Sequence, residues 1–236
     1  MVEGLRILAI VPARGGSKGV PMKNIKPVNG LPLLAYTAKL ISEIAEIDRA
    51  VVSTDSRAIA DVAERYGLAA PFLRPGSISG DLIGDYDVLR HGLDTMEALD
   101  RVRYDIVLML QPTCPLRQAQ HVRSAITMLV ENRLDSVWSV TRTDVKYHPL
   151  KQLVIEHGLM RLFDKRGETI VARQQLVPTY TRNGAVYAIA RDCLMTQKKT
   201  LGDRSGALVI EDTLVNVDTN EDFDELERIL AGERGQ

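Results

Sequence analysis

Residues 14–19 put an arginine, two adjacent glycines, a serine, a lysine and a third glycine in one unbroken stretch, Arg14-Gly15-Gly16-Ser17-Lys18-Gly19. Small residues let backbone N–H groups approach phosphate oxygens, and the two cations neutralise phosphate charge. Neither G-x-x-x-x-G-K-[ST] nor G-x-G-x-x-G can be laid on the stretch, so a Walker loop and a dinucleotide fingerprint are excluded. Pro21-Met22-Lys23-Asn24-Ile25 then returns a second lysine and an amide to the same loop. That combination points to an anion with several charges. Other reactive side chains fall away. His91, His121, His148 and His157 have no metal-ligand spacing, and none stands in an H-E-x-x-H pattern. Cys114 lies between prolines in QPTCPLR, where a small residue is needed, and Cys193 reads as a packing residue at the start of a helix.

The elements around this loop alternate. LRILAIVP (residues 5–12) is an almost continuous apolar run, as a strand buried on both faces requires. After the loop, Leu33, Leu34, Tyr36, Thr37, Leu40, Ile41 and Ile44 recur at helical spacing behind Pro32, which a first helical turn tolerates. Residues 50–53 form the next strand, and Thr54-Asp55-Ser56 caps a helix over 57–66 that Gly67 stops. Further along, 72–74 reads as a short strand, 85–101 as a helix, 104–110 as a strand, 118–132 as a helix and 135–141 as a strand. Such alternation implies crossovers and a parallel sheet, with ligands beyond the C-terminal strand ends, where loops 13–30, 54–57 and 111–117 gather.

The alternation breaks after Thr141. Residues 151–163 contain His157-Gly158 between two alternating runs, which predicts a hairpin, and segment 142–182 has no crossover helix. The sheet resumes at 184–190, a last strand is expected at 214–217, and an acidic helix closes the chain at 220–231. The 236 residues fit one large α/β domain, or one domain with a small appendage. Thirty basic residues against 31 acidic ones argue against a nucleic-acid-wrapping or membrane-coating protein, and 45% hydrophobic residues are ample for a packed core. No run approaches a membrane span, the N-terminal residues show no signal-peptide pattern, and two cysteines suit a reducing compartment, so a cytoplasmic location is expected.

The stretch V-P-A-R-G-G-S-K-G-V-P-M-K-N-I (Val11 to Ile25) resembles the signature loop of the cytidylyltransferases that activate acylneuraminic and related nonulosonic acids as CMP-sugars. Ser53-Thr54-Asp55, Leu73-Arg74-Pro75, Leu110 to Arg117, and Arg173-Gln174-Gln175 leading to Asn183-Gly184-Ala185-Val186-Tyr187 match the same family in order. The resemblance implies an α/β, Rossmann-like nucleotidyltransferase fold, a mainly parallel sheet flanked by helices. Residues 1–141 and 183–236 would form that domain, and 142–182 an inserted dimerisation and substrate segment. It also implies transfer of CMP from CTP to the anomeric hydroxyl of an acid sugar, with release of pyrophosphate.

The family's pattern assigns roles residue by residue. Arg14 and Lys18 would hold the triphosphate, assisted by Ala13, Ser17 and the backbone of Gly15 and Gly16. Lys23 and Asn24 would lie near the α-phosphate and the base, and Arg74 and Asp85 would border the cytosine. Asp85 stands where small hydroxyl residues are common, so a cytosine amino group or a guanine edge would suit it. Gln111, Arg173 and Gln174 would face the acid sugar, while Tyr187 is either a wall or hydroxyl donor of the same pocket or a core tyrosine. The family usually places Asp-x-Asp after the final strand to hold Mg²⁺; here the triplet is Asn216-Val217-Asp218. Asp218 becomes the main expected ligand, with Asn216 direct or through water, unless Asp218 instead caps the last helix. An aromatic pair expected near Thr200 and Leu201 is missing, and the arginine expected at Thr181 stands at Arg182. These departures leave open another sugar, another base or an idle nucleotide-binding relative. A two-fold homodimer through segment 142–182 is the expected assembly.

Overall fold

A computed structural model describes residues 4–232. Its strands are β1 (Ile7–Pro12), β2 (Pro27–Val28), β3 (Leu31–Pro32), β4 (Arg49–Ser53), β5 (Ile106–Met109), β6 (Ser136–Arg142), β7 (Leu153–Glu156), β8 (Leu159–Leu162), β9 (Tyr180–Ala190) and β10 (Ser205–Val209). Its helices are α1 (Leu33–Ser42), α2 (Arg57–Arg65), α3 (Asp85–Asp100), α4 (Ala119–Glu131), α5 (Arg191–Met195) and α6 (Asn220–Leu230).

Six strands form one sheet in the order β10-β6-β9-β5-β1-β4. The apolar run of β1 lies inside the sheet, between β5 and the edge strand β4, and both of its faces are covered. Ile7, Ala9 and Val11 pack with α1, α2 and α4 on one side, and Leu8 and Ile10 pack with α3 and α5 on the other. β1 is parallel to β4 and β5, and β10 is parallel to β6, but β9 runs antiparallel to both β5 and β6. The reason lies in the excursion. β6 leaves the sheet at its C-terminal end, where Arg142 pairs with Tyr180, so the chain re-enters from that same end and must run the other way. The start of β9 therefore stands among the C-terminal ends of the parallel strands.

The excursion itself contains the expected hairpin. β7 and β8 pair antiparallel apart from the main sheet, and His157 and Gly158 both have positive φ, as a two-residue type I′ turn requires. His148 ties its ends together: Nε2 lies 3.0 Å from the Val177 carbonyl, and Nδ1 accepts the Leu150 N–H.

Two expectations fail, and one strand was not foreseen. Residues 72–74 form no strand, because Pro71 and Pro75 cannot donate to a ladder; the chain touches β4 through one bridge, Val51 to Ala69. Residues 214–217 cross over the strand ends without joining the sheet, held by Val217 N–H to the Thr113 carbonyl at 2.8 Å. The strand that does complete the sheet, β10, lies at an edge and alternates exposed and half-buried residues along SGALV. Among the described residues no helix is long and apolar enough to cross a membrane.

Candidate active site

A cleft of about 650 Å³ opens at the C-terminal ends of β1 and β5. The loop after β1 forms its floor. Asn24, buried at the back, donates from Nδ2 to the Arg14 carbonyl at 3.0 Å, which fixes where the Arg14 side chain leaves the loop. Arg14, Ser17, Lys18, Lys23 and Asn24 all line the cleft. Gly19 is where the loop meets residue 218: a Cβ there would stand 2.5 Å from the Asp218 carbonyl oxygen, so only glycine allows the approach.

Other parts of the loop do not face the cleft. Ala13 is fully buried and donates its N–H to the Ser53 carbonyl, and the Gly15 N–H is taken by Asp55 Oδ1 at 2.8 Å. These residues shape the loop through β4 and its following turn. Gly16 is likewise outside the cleft lining.

The far wall comes from β9, from the turn after β5 and from the segment before α6. Arg117 is buried and donates to the Ala185 carbonyl, to Thr37 Oγ1 at 2.8 Å and to the Gln111 carbonyl at 3.0 Å. Burial without a carboxylate partner pushes its guanidinium down to about 10. It binds the QPTCPLR turn to β9 and α1, which sets Gln111 at the cleft wall. Gly184, with φ +73, clears that wall: a Cβ there would meet Gln111 Oε1 at 2.8 Å and Asn216 Oδ1 at 3.4 Å. Tyr187 meets both readings offered by the sequence. It lines the cleft, yet is buried with its ring edge-on to Trp138 at 5.1 Å, and burial pushes its phenol up.

Arg74 and Asp85 line one flank. Arg74 is buried, donates from Nε to Ser79 Oγ at 3.1 Å, and has its guanidinium lowered mainly by burial. Asp85 is the first residue of α3, and burial pushes its carboxyl up against the opposing pull of Arg182. Arg182 lies over the Trp138 ring at 5.3 Å. Its displacement from the expected position was legible in the sequence, and it does reach the cleft. Asp81 was not found by sequence reasoning: an acid in a Gly- and Ser-rich loop carries no spacing signal. Its carboxylate lies 2.6 Å from both Arg14 Nη1 and Lys18 Nζ.

Asn216 and Asp218 also face the cleft, and Asn216 Nδ2 donates to Asp218 Oδ2 at 3.3 Å. Asp218 Oδ1 lies 2.7 Å from Lys23 Nζ. Asp218 does not cap the last helix. Thr219 is the N-cap of α6, with Oγ1 accepting the Asp222 N–H, while Asp222 accepts from the N–H groups of Asp218 and Thr219. One carboxylate beside one amide, open to a cleft lined with phosphate-type cations, fits an ion such as Mg²⁺, which takes one or two carboxylates and fills its remaining positions with phosphates and waters. Among the described residues no cluster of three or more His, Cys, Asp or Glu side chains offers an all-protein metal cage.

Arg173 and Gln174 are elsewhere. They lie on the exposed 3-10 turn Arg173–Gln175 within the excursion, outside the lining of this cleft. Cys114 and Cys193 are both buried, with burial pushing the Cys193 thiol up to about 11, as suits packing residues.

The sequence matches the family described as "Cytidylyltransferase" over residues 8–234. The chain belongs to the cytidylyltransferase family. This cytidylyltransferase is 30% identical over 223 residues to the CMP-N,N'-diacetyllegionaminic acid synthase of Legionella pneumophila, covering 93% of each chain. It is 28% identical over 226 residues to the post-translational flagellin modification protein B of Campylobacter coli, covering 95% of this chain and 94% of the relative. In fold it is similar to a solved CMP:2-keto-3-deoxy-manno-octonic acid synthetase complexed with CTP, with a TM-score of 0.70, 16% identity and coverage of 97% and 100%. The activity class is therefore CTP-dependent cytidylyl transfer.

Proposed function

We propose that this cytidylyltransferase transfers CMP from CTP to the anomeric hydroxyl of a nonulosonic acid, releasing pyrophosphate. The observation that carries the reading is the division of one cleft into a cationic floor, from Arg14, Lys18 and Lys23, and a far wall of Gln111, Gly184, Tyr187 and Asn216. The floor suits a triphosphate; the wall offers amides and a phenol to a hydroxyl-rich substrate. The legionaminic acid synthase relative supports an acid sugar in that second half.

On this reading the anomeric hydroxyl oxygen forms a bond to the α-phosphorus and gives up its proton to water, the bond from that phosphorus to the bridging oxygen breaks, and pyrophosphate leaves with the electron pair. Such chemistry needs positioning and charge neutralisation more than covalent help. Arg14 and Lys18 hold the β- and γ-phosphates, with Ser17 beside them. Lys23, fixed against Asp218, directs its ammonium at the α-phosphate, and Arg74 and Asp85 border the base. Asp218 and Asn216 would hold Mg²⁺, which supplies further neutralisation of the phosphate oxygens when bound. Gln111 and Tyr187 orient the sugar.

The working form is a homodimer. Leu153, Ile155, Leu159, Met160 and Phe163 of the hairpin are all exposed large apolar residues, an arrangement that a second copy would cover. Arg173 and Gln174, absent from their own cleft, then act on the sugar in the partner's cleft.

The test is pyrophosphate release with CTP, Mg²⁺ and a panel of nine-carbon and eight-carbon acid sugars, with Lys18→Ala as the control. Turnover with a nine-carbon acid, reduced roughly 10²–10³-fold in Lys18→Ala, is expected from the loss of one preorganised charge. Turnover with eight-carbon acids alone would overturn the substrate, and a fully active Lys18→Ala would overturn the loop assignment.

A further inference from the structure

Arg14 and Lys18 do not stand free in the cleft. One carboxylate takes both: Asp81 Oδ1 accepts from Arg14 Nη1 at 2.6 Å, and Oδ2 lies 2.6 Å from Lys18 Nζ. The two oxygens are divided between the two cations as two oxygens of a phosphoryl group would be. Asp81 sits in the loop between the 3-10 turn Gly76–Ile78 and α3, and its side chain has no other bonding partner among the described residues. The next residue, Leu82, is 99% exposed, so the tip of this loop is not anchored in the core. Lys18 itself is 78% exposed along its side chain and reaches back over the cleft only through this pair.

We propose that Asp81 is an internal stand-in for the triphosphate: it occupies Arg14 and Lys18 until a polyphosphate displaces it. This rests on the assignment of that loop to the phosphates of CTP. The same two cations cannot serve Asp81 and a phosphate chain in full, so every anion entering here competes with a tethered carboxylate. A ligand with one or two charges gains little more than the pairs it breaks. A triphosphate, with more charge and more oxygens, gains new contacts at Lys23 as well. Asp81 thus sets a charge threshold that CTP clears and that holds monophosphates and inorganic phosphate to low occupancy. It also provides a replacement for pyrophosphate as that product departs, so the cations never have to be left bare. The pairing to Lys18 and Arg14 holds its carboxyl below the usual carboxylate range, which keeps the competing charge in place at neutral pH.

The experiment is calorimetric titration of the full chain with inorganic pyrophosphate, inorganic phosphate and CTP, without acid sugar and with divalent ions chelated. Asp81→Asn and Asp81→Ala are compared with wild type, using preparations that melt at the wild-type temperature. Removing the carboxylate is expected to tighten pyrophosphate and CTP about two- to thirty-fold, the worth of two exposed ion pairs. Inorganic phosphate should tighten by no more than the same factor, and product inhibition by pyrophosphate should strengthen by a similar factor. Unchanged or weaker binding in both variants overturns the proposal while leaving the nucleotide site intact. A wild-type protein that binds neither CTP nor pyrophosphate overturns the site assignment itself, a result the Asp81 variants cannot mimic.

Discussion

Asp218 and Asp222 stand one helical turn apart and answer to different physics. The Asp222 carboxylate accepts the N–H groups of Asp218 and Thr219, both at 2.7 Å, at the start of α6. Replacing it by alanine orphans both donors, at an expected cost of about 1–2 kcal/mol, the usual range for a lost N-terminal cap. For a chain of this size that lowers Tm by about 2–4 °C per kcal/mol. Asp218 holds no such position. Its side chain is 63% exposed, against 13% for the Lys23 it pairs with at 2.7 Å, and its other neighbour is Asn216 at 3.3 Å. An ion pair this open contributes roughly 0–1 kcal/mol, so Asp218→Ala should melt close to wild type. Turnover should behave the other way round. Asp218→Ala removes the only carboxylate of the proposed Mg²⁺ pair and frees Lys23, and a loss of about 10²-fold or more is expected; Asp222→Ala should keep near-normal turnover below its melting range. Thermal melts and Mg²⁺-dependent pyrophosphate release on the same two preparations read the crossing directly. An Asp218→Ala protein that melts normally and turns over normally refutes the reasoning, and one that loses several degrees while retaining turnover assigns Asp218 a structural role.

Two further perturbations follow from the same geometry. Burial raises the Asp85 carboxyl above its unfolded value, so its favourable contribution to folding is present at low pH and lost as pH rises through the folded pKa. Asp85→Asn should therefore raise Tm at pH 7, with the gain shrinking as the pH falls into the carboxylate range; a variant less stable than wild type at pH 7 would refute this. In the hairpin, Ile155 is 74% and Leu159 76% exposed, and the double change Ile155→Asp with Leu159→Asp should convert a dimer into a monomer by light scattering at micromolar concentration. A monomeric wild-type protein would end the dimer reading outright.

The parts of this fold that were legible in the sequence are those where one local signal decides the outcome. β1 and β5 are apolar on every residue because both faces are covered, and α1, α2, α3 and α4 fall within a residue or two of their expected bounds because their apolar spacing is regular. The hairpin was legible because His157-Gly158 supports only a narrow set of turns. What sequence could not supply depends on where the chain goes next. The antiparallel sense of β9 follows from the excursion ending where it began, which no local pattern encodes. β10 was missed because an edge strand beside a polar loop has a weak alternation, and 214–217 was expected to be a strand because Val215 and Val217 are apolar for packing against α6 rather than for joining a sheet. In the cleft, the cations announced themselves by clustering, whereas their partners did not. Asp55, which takes the Gly15 N–H, and Asp81, which takes Arg14 and Lys18, come from separate loops that only the folded chain brings together.

The charges lining the cleft explain why a missing carboxylate at residue 216 is tolerable. Arg14, Lys18, Lys23, Arg74 and Arg182 face Asp81, Asp85 and Asp218, an excess of two positive charges over the lining residues. An aspartate at 216 would halve that excess. With asparagine in place the cleft attracts a polyanion more strongly and a free divalent cation more weakly, since the fixed field near Asp218 is already dominated by Lys23 at 2.7 Å. On the proposed reading a metal ion would gain most of its binding energy from phosphate oxygens, not from the protein, and would enter the site on the nucleotide. That places the burden of neutralising the transition state on residues the chain already holds in position: Lys23 against Asp218, and Arg14 by the Asn24 amide. If Asp218 holds the metal as proposed, asparagine at 216 shifts which partner would carry it and leaves the phosphate loop intact.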